Sequence, residues 1–333
     1  MSRYLVIGAG AVGGLLAAQW AAAQVPVVLI AREPTRAAIA RDGVRVRRPG
    51  GDDVVAVEVA GSLAVARPTA ADTVVLAVKA PDVEEAVAAI AWTPLADGRG
   101  VVADLPILTL QGGLAAERIA LRRFATVIGV SLGAPVGLIA PGVIAAAAHP
   151  IVGAAWLGGY PHSLPAEEER HRLALAAAGF AASVEPDIAA AKRRKLIASL
   201  AGAVEVFDAP QEQLERAADA VEAEARAVFA AAGLAVAPPR PGARLEVGEV
   251  PGFATGRGSV WQGFARGAAS EADHLSGEVA LVARQTGVDA PLNTAVARAL
   301  GALAHRRGRP GELPLPAEFG SALFGGVSAR TRR

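Results

Sequence analysis

The chain has 333 residues, 53% of them hydrophobic, with 33 basic and 32 acidic side chains. That length holds one large or two ordinary domains and a substantial core. A formal charge of +1 sets up no global field for nucleic acid or an anionic membrane, and zero cysteines exclude disulfides and cysteine-bound metal.

Tyr4–Ile7 is a short apolar run that meets Gly8, Gly10, Gly13 and Gly14, and Leu15–Ala23 is helix-forming. The order is strand, tight turn, helix, and it predicts a dinucleotide-binding site. Gly8 lets the turn close, Gly10 lets a pyrophosphate approach the backbone, and Gly13 lets the helix pack on the strand. The free N–H groups where the helix starts, around Ala11 and Val12, then face an anion. The sequence goes directly into this strand, so no signal peptide is expected and the expected location is the cytoplasm.

Pro26–Ala31 reads as the second parallel strand, with Arg32 at its end. An acid there would hold a ribose 2′-hydroxyl, whereas an arginine suits a 2′-phosphate, so NADP is the expected cofactor. Glu33 next door keeps NAD open. Thr35–Asp42 reads as a helix, and Val44–Val46 and Val54–Val59 as strands joined by the turn-rich RRPGGDD.

Thr73–Val78 is a fully apolar, buried-type strand ending at Lys79-Ala80-Pro81, before a helix over Val83–Ile90. Residues at the carboxyl ends of parallel strands face the ligand crevice, which makes Lys79 a candidate against the alternative of a surface lysine. Val101–Leu110, interrupted by Pro106, is another strand region. It leads into the turn Gln111-Gly112-Gly113 and a helix over Leu114–Arg122.

Between Val127 and Tyr160 there is no Asp, Glu, Lys or Arg. Pro135, Pro141 and Pro150 cut this stretch into pieces too short to span a bilayer. It reads as an internal mixed-sheet extension with a hairpin turn at Pro141-Gly142. Glu167–Ala178 reads as a helix and Phe180–Val184 as a strand. From Asp187 helical periodicity dominates: Ile188–Val206, Pro210–Ala232, Ser259–Ala268, Glu271–Thr286 and Thr294–His305. The expected division is therefore an α/β domain over 1–185 and an all-α domain over 186–333. PPRPG at 238–242 and the glycine-rich stretch to Gly258 read as a long loop.

Lys79, Lys192 and Lys195 are the only lysines beside many arginines. Arginine keeps its proton near neutral pH, while lysine releases one once its pKa is lowered. This singles out Lys79 and the Lys192/Lys195 pair.

GAGAVGG, Arg32, VKA at 78–80 and LQGG at 110–113 stand in order with AGFAASVEPDI and KRRKL between 178 and 196. SVWQGFARGAASEADHLSGEV at 259–279 and Pro291-x-Asn293 follow. In that order and spacing the chain resembles the ketopantoate reductase (2-dehydropantoate 2-reductase) family over nearly its whole length. The resemblance implies an N-terminal Rossmann domain and a C-terminal all-α domain. It implies NADPH-dependent reduction of a 2-oxo acid to a 2-hydroxy acid, ketopantoate to pantoate in pantothenate biosynthesis. By position Lys195 matches the general acid, Glu271 the cleft carboxylate and Ser259 the contact for the substrate carboxylate. Lys79 matches the lysine on the nicotinamide side, near cofactor and substrate. Gly112 falls in the cofactor-binding turn, and Ser199 is the polar substrate contact one turn after Lys195.

The chemistry agrees: hydride transfer to a ketone leaves negative charge on oxygen, which an ammonium stabilises and protonates. Read without the family, Lys195 is one cation in a solvated KRRK cluster. Glu271 is then a helix N-terminal carboxylate capped by Ser270, and Ser259 an N-cap.

Departures stand beside the matches. The asparagine of the family's LQNG is Gly112 here. The asparagines four and eight residues after the lysine are Ser199 and Ala203. The aspartate four residues after the serine is Gly263, and the aromatic residue two before the lysine is Arg193. Losing polar partners lowers discrimination and leaves volume. The substrate pocket is therefore expected to be larger and less polar than a ketopantoate site. That leaves open a bulkier 2-oxo acid, another ketone or an imine. A non-catalytic NADP-binding protein is a third reading, opposed by the retention of Lys195, Glu271 and Ser259. The expected partner is a small-molecule substrate, with neither nucleic acid nor membrane, and a homodimer through the helical domain is compatible with the sequence. The five histidines show no metal-binding spacing.

Overall fold

The computed structural model describes residues 3–239, 245–268 and 270–320. The proline-rich residues 240–244 and the tail from 321 lie outside the described residues. Two compact units form: residues up to Lys192 with Pro239 and 245–255, and Arg193–Pro238 with Gly256 onward.

The first unit opens with β1 (Tyr4–Ile7), α1 (Ala11–Ala22), β2 (Val27–Ile30), α2 (Thr35–Asp42), β3 (Val44–Arg48), β4 (Gly51–Val55) and β5 (Glu58–Ala60). It goes on through α3 (Leu63–Ala66), β6 (Thr73–Leu76), α4 (Val83–Ile90), β7 (Ile107–Thr109) and α5 (Ala116–Leu121). Then come β8 (Val127–Gly133), β9 (Val136–Ala140), β10 (Val143–Ala146), β11 (Ala148–His149), β12 (Gly153–Tyr160), α6 (Pro165–Ala177) and β13 (Phe180–Val184).

Eight strands form the main sheet in the order β13-β12-β8-β7-β6-β1-β2-β5. From β5 to β8 every neighbour is parallel, while β12 runs antiparallel to β8. β1 and β6 are buried at every position, as a parallel sheet covered on both faces requires. Leu15, Leu16 and Trp20 of α1 pack on one face with Leu175 of α6, and Val83, Val87 and Ile90 of α4 cover the other with Phe124. β1 sits between β2 and β6, so the strand order reverses there. In open α/β sheets that reversal opens the ligand crevice at the carboxyl ends of the strands.

The uncharged stretch from Val127 is a mixed-sheet extension. β8 and β12 join the main sheet, and β9 and β10 form a hairpin that turns at Gly142, with φ +76°. The hairpin belongs to a second sheet, β4-β3-β10-β9. Among the described residues no helix is long and apolar enough to cross a membrane.

Two expected strands differ. Val54–Val59 is split: β4 ends in the second sheet and β5 begins at the edge of the main one. Ala56 and Val57 keep the link apolar, so the change of sheet leaves no mark in the pattern. Within Val101–Leu110 only Ile107–Thr109 pairs as a strand. Val102–Asp104 is instead a 3-10 turn, closed by Asp104, whose carboxylate accepts from the Val101 N–H at 2.9 Å.

A polar knot lies inside this unit. Tyr4 stacks on Trp20 with ring centroids 4.4 Å apart, and its hydroxyl meets His171 Nδ1 at 3.0 Å. Burial, and then the Arg170 charge, push the His171 pKa down to about 3. Glu167 lies 3.2 Å from Nε2 and favours the charged ring, but burial prevails and the imidazole is neutral.

α7 (Ile188–Val204) starts in the first unit and continues into the second, which also holds α8 (Gln211–Ala231). The division thus falls inside a continuous helix. The latter part of the following loop returns to the first unit, where β14 (Glu246–Val247) pairs with β11. The second unit ends with α9 (Ser259–Arg266), α10 (Ser276–Thr286) and α11 (Pro291–His305). The expected helix over Glu271–Thr286 is interrupted: Ala272–His274 form a 3-10 turn before α10 begins. Ser270 Oγ accepts from the Ala272 N–H at 3.2 Å, so this serine closes the turn rather than capping the helix.

Asn293 gives the Pro-x-Asn pattern a structural role. It is fully buried, and its Nδ2 donates to Val221 O at 3.0 Å and to Glu224 Oε1 at 2.9 Å. Glu224 also accepts from the N–H groups of Leu292 and Asn293 at 2.9 and 2.8 Å. A carboxylate of α8 thereby satisfies the open donors at the start of α11.

Candidate functional site

The strand ends of the first unit converge on the glycine turn. Gly8 N–H donates to Ile30 O at 3.2 Å, and Ala77 N–H to Ile7 O at 2.9 Å, so the ends of β1, β2 and β6 are tied together. Gly8 has φ +111°, and a Cβ there would lie 3.0 Å from the Ala77 carbonyl carbon and Val78 N. A Cβ on Gly13 would fall 2.0 Å from Gly8 O. Both positions need glycine, one for the turn and one for the close approach of α1. Gly10 differs: a Cβ there would meet nothing within 4 Å. Its missing side chain leaves open space beside the start of α1, at Ala11 and Val12. The first turn of α1 carries no acidic residue and its N-cap makes no side-chain hydrogen bond, so its donors are open to an anion. This cradle fits a dinucleotide pyrophosphate.

Arg32 is exposed, and its guanidinium has no side-chain partner among the described residues. Glu33 is engaged elsewhere: it pairs with Arg36 and accepts from the Ala37 N–H at 3.1 Å. The acid beside Arg32 is therefore held at the start of α2.

Lys79 follows β6 directly and precedes the 3-10 turn Ala80–Asp82. The turn after β7 is tied to the same edge by Gln111, whose Nε2 donates to Leu76 O at 2.8 Å and to Val78 O at 2.9 Å. The sequence marked Gln111 only as part of a turn. Its role depends on two carbonyls far back in the chain, and its buried Oε1 has no hydrogen-bond partner among the described residues. Gly112 is exposed, and a Cβ there would meet nothing within 4 Å. The structure thus brings Gly8, Gly10, Gly13, Arg32, Lys79 and Gly112 to one edge of the sheet.

The remaining candidates belong to the second unit. Lys195 is half-buried on α7, and desolvation lowers the pKa of its ammonium from the ordinary lysine value. Burial is the only cause of that shift. Ser199 Oγ donates to Lys195 O at 2.8 Å, so its only donor is already engaged within the helix. Ala203 is fully buried. Next to it, Gly202 of α7 touches Gly258: a Cβ on Gly258 would lie 2.8 Å from Gly202 Cα. Glu205 accepts from the Gly258 N–H at 2.9 Å. These contacts seat the start of α9 on α7, one residue before Ser259. The N-cap of α9 is Gly258, so Ser259 is an exposed first-turn residue and not the cap. Gly263 is buried, yet a Cβ there would meet nothing within 4 Å. Glu271 is half-buried ahead of the 3-10 turn.

Lys192 separates from Lys195. It is 3% exposed and paired with the buried Glu117, which makes it part of the interior and not a free cation. Among the described residues no cluster of His, Asp or Glu could hold a metal ion.

The sequence matches the family described as ketopantoate reductase PanE/ApbA over residues 4–161, and that family's C-terminal domain over residues 199–304. No curated protein matches by sequence. Among solved structures, the chain is similar to a PanE/ApbA family ketopantoate reductase from Ralstonia eutropha JMP134, with TM-score 0.72 and 22% identity over 92% of this chain and 99% of that one. A 2-dehydropantoate 2-reductase from Methylococcus capsulatus gives TM-score 0.68 and 22% identity over 92% and 98%. A D-mandelate dehydrogenase, solved with NADH and anilino(oxo)acetate, gives TM-score 0.71 and 16% identity over 92% and 99%. These likenesses establish a shared fold: a parallel-sheet N-terminal domain and a helical C-terminal one.

Proposed function

Because the chain belongs to the ketopantoate reductase family, whose relatives are NAD(P)-dependent oxidoreductases, we propose that it reduces a 2-oxo acid to a 2-hydroxy acid with NADPH. Lys195 is the proton donor in this reading, and ketopantoate is the first acceptor to test. With that acceptor the enzyme would serve pantothenate biosynthesis in the cytoplasm. The observation that carries the reading is the state of Lys195: an ammonium with its pKa lowered by burial and no side-chain partner among the described residues. Such a group is poised to give up a proton.

Gly8, Gly10 and Gly13 with the start of α1 would hold the pyrophosphate, and Arg32 the 2′-phosphate. NADPH supplies the hydride when bound. As charge grows on the substrate carbonyl oxygen, Lys195 Nζ donates a hydrogen bond to it and then the proton, and water restores the ammonium. The Ser259 hydroxyl and the Lys79 ammonium are donors suited to the substrate carboxylate. Glu271 is the carboxylate that would orient the acid and substrate hydroxyl.

A second reading keeps the chemistry and changes the acceptor to a bulkier, less polar 2-oxo acid, ketone or imine. It is favoured by the open space at the buried Gly263, the apolar Ala203 and the engaged hydroxyl of Ser199. A structural neighbour holding anilino(oxo)acetate is in keeping with it.

Initial rates of NADPH and NADH oxidation with ketopantoate and a series of larger 2-oxo acids test both. The primary reading expects NADPH to be preferred and ketopantoate to be the fastest acceptor. Faster turnover of larger acids selects the second reading. NADPH binding with no turnover of any acceptor contradicts both and leaves a non-catalytic NADP-binding protein.

A further inference from the structure

One buried charge cluster is not used by this chemistry. Thr109 at the end of β7, Glu117 in the first turn of α5 and Lys192 of α7 are 0%, 2% and 3% exposed. Thr109 Oγ1 donates to Glu117 Oε1 at 2.6 Å, and Lys192 Nζ pairs with the same oxygen. Gly129 of β8 lets the start of α7 approach beside them: a Cβ there would lie 2.9 Å from Ile188 Cγ1, while Glu117 Cγ, at 3.4 Å, would be in ordinary contact. Two strands and two helices therefore close around one carboxylate.

A buried ion pair adds little net stability over an apolar pair of the same shape. What it does add is direction. Lys192 reaches Glu117 Oε1 only when α7 holds one rotation and one height against α5 and β7. Lys195 follows three residues later, about 4.5 Å along the same side of the helix.

We propose that Glu117 and Lys192, supported by Thr109, are positioning residues that set the register of α7 and thereby the placement of the Lys195 ammonium. The proposal rests on the reading of Lys195 as the proton donor. It accounts for a lysine where the helix needs only an apolar residue.

The test uses the full chain, steady-state kinetics with NADPH and the best acceptor, thermal melting, and competitive acetylation of Lys195 against pH, read by mass spectrometry. Lys192→Met leaves a buried carboxylate unpaired and lowers both the melting temperature and kcat. The double variant Glu117→Met/Lys192→Met removes both charges, and its melting temperature returns toward wild type. Its kcat stays roughly ten- to a hundredfold down while the KM for NADPH is unchanged, because the acid is displaced and the cradle is not. Its acetylation profile at Lys195 also shifts. Return of kcat and of the acetylation profile together with the melting temperature overturns the proposal and makes the pair merely structural. Lys192→Arg keeps the charge, leaves no unpaired carboxylate and moves the pairing atoms. It should show the same fall in kcat at normal stability, and unchanged kcat there also overturns the proposal. Lys195→Met keeps the two claims apart. Wild-type turnover in that variant defeats the proton-donor reading, while acetylation of Lys195 in the double variant still reports whether the pair sets its surroundings.

Discussion

The glycine cradle and the helical unit are built by different means. The cradle is backbone. Gly8 and Gly13 are held by contacts a Cβ would break, and Gly10 by the space it leaves. The helical candidates are side chains on helices that are stable without them. Ser199 is satisfied by its own helix, and Ala203 and Gly263 leave α7 and α9 intact. Gly8 and Gly13 can change only at the cost of the fold, whereas polar side chains can be lost one at a time. Cofactor binding and acceptor choice can therefore diverge separately within one family.

The largest effect is expected in acid, in the first unit. An ordinary histidine takes up a proton near 6.5, but His171 in the folded first unit does so only at about 3. Between these values the unfolded chain binds a proton that the folded chain refuses. The stabilisation is complete above pH 6.5 and is lost as the pH falls toward 3, by about 5 kcal/mol at most. Denaturant unfolding from pH 7 down to pH 4 should show this loss, and His171→Gln should flatten it. An equally steep fall in that variant contradicts the account.

Within the cradle, Gly13→Ala and Gly10→Ala should part company. The first drives a methyl into Gly8 O and costs about 3 kcal/mol or more, read as a lower melting temperature. The second should leave stability within about 0.5 kcal/mol, because nothing is met, and weaken NADPH binding. Equal melting losses would show that the opening at Gly10 is not a ligand space.

Arg32→Asp tests cofactor choice without touching the helices. Removing a charge-assisted contact should weaken NADPH roughly ten- to a hundredfold relative to NADH in paired binding titrations. An unchanged ratio places the 2′-phosphate elsewhere. The smallest effect is reserved for Asn293→Ala, which should lower stability by about 1–2 kcal/mol and leave the NADPH Kd alone. A changed Kd would mean that the α8–α11 lock reaches the cradle.

How much of this was legible in the sequence follows the same divide. The cradle was legible because glycine spacing records backbone geometry directly. The place of Arg32 just after β2 was legible too, but not that Glu33 turns away to Arg36 and Ala37. Gln111 was missed because its partners, Leu76 O and Val78 O, lie 35 and 33 residues back in the chain. Lys192 and Lys195 looked alike because what separates them is Glu117, 75 residues before Lys192. The break between the Ala272–His274 turn and α10 was hidden inside residues that suit a helix. For Gln111 and Lys192 the missing information was a contact between distant segments, whereas for Glu33 and the Ala272–His274 turn it was a local side-chain choice that helix-compatible residues do not record.

The most direct test of the central claim is single-turnover oxidation of enzyme-bound NADPH by excess 2-oxo acid, wild type beside Lys195→Met. NADPH binding should be unchanged in the variant and the rate lower by about a hundredfold or more, the loss expected for a missing general acid. A variant that oxidises NADPH at the wild-type rate would contradict that claim, and the proton would have to come from another group.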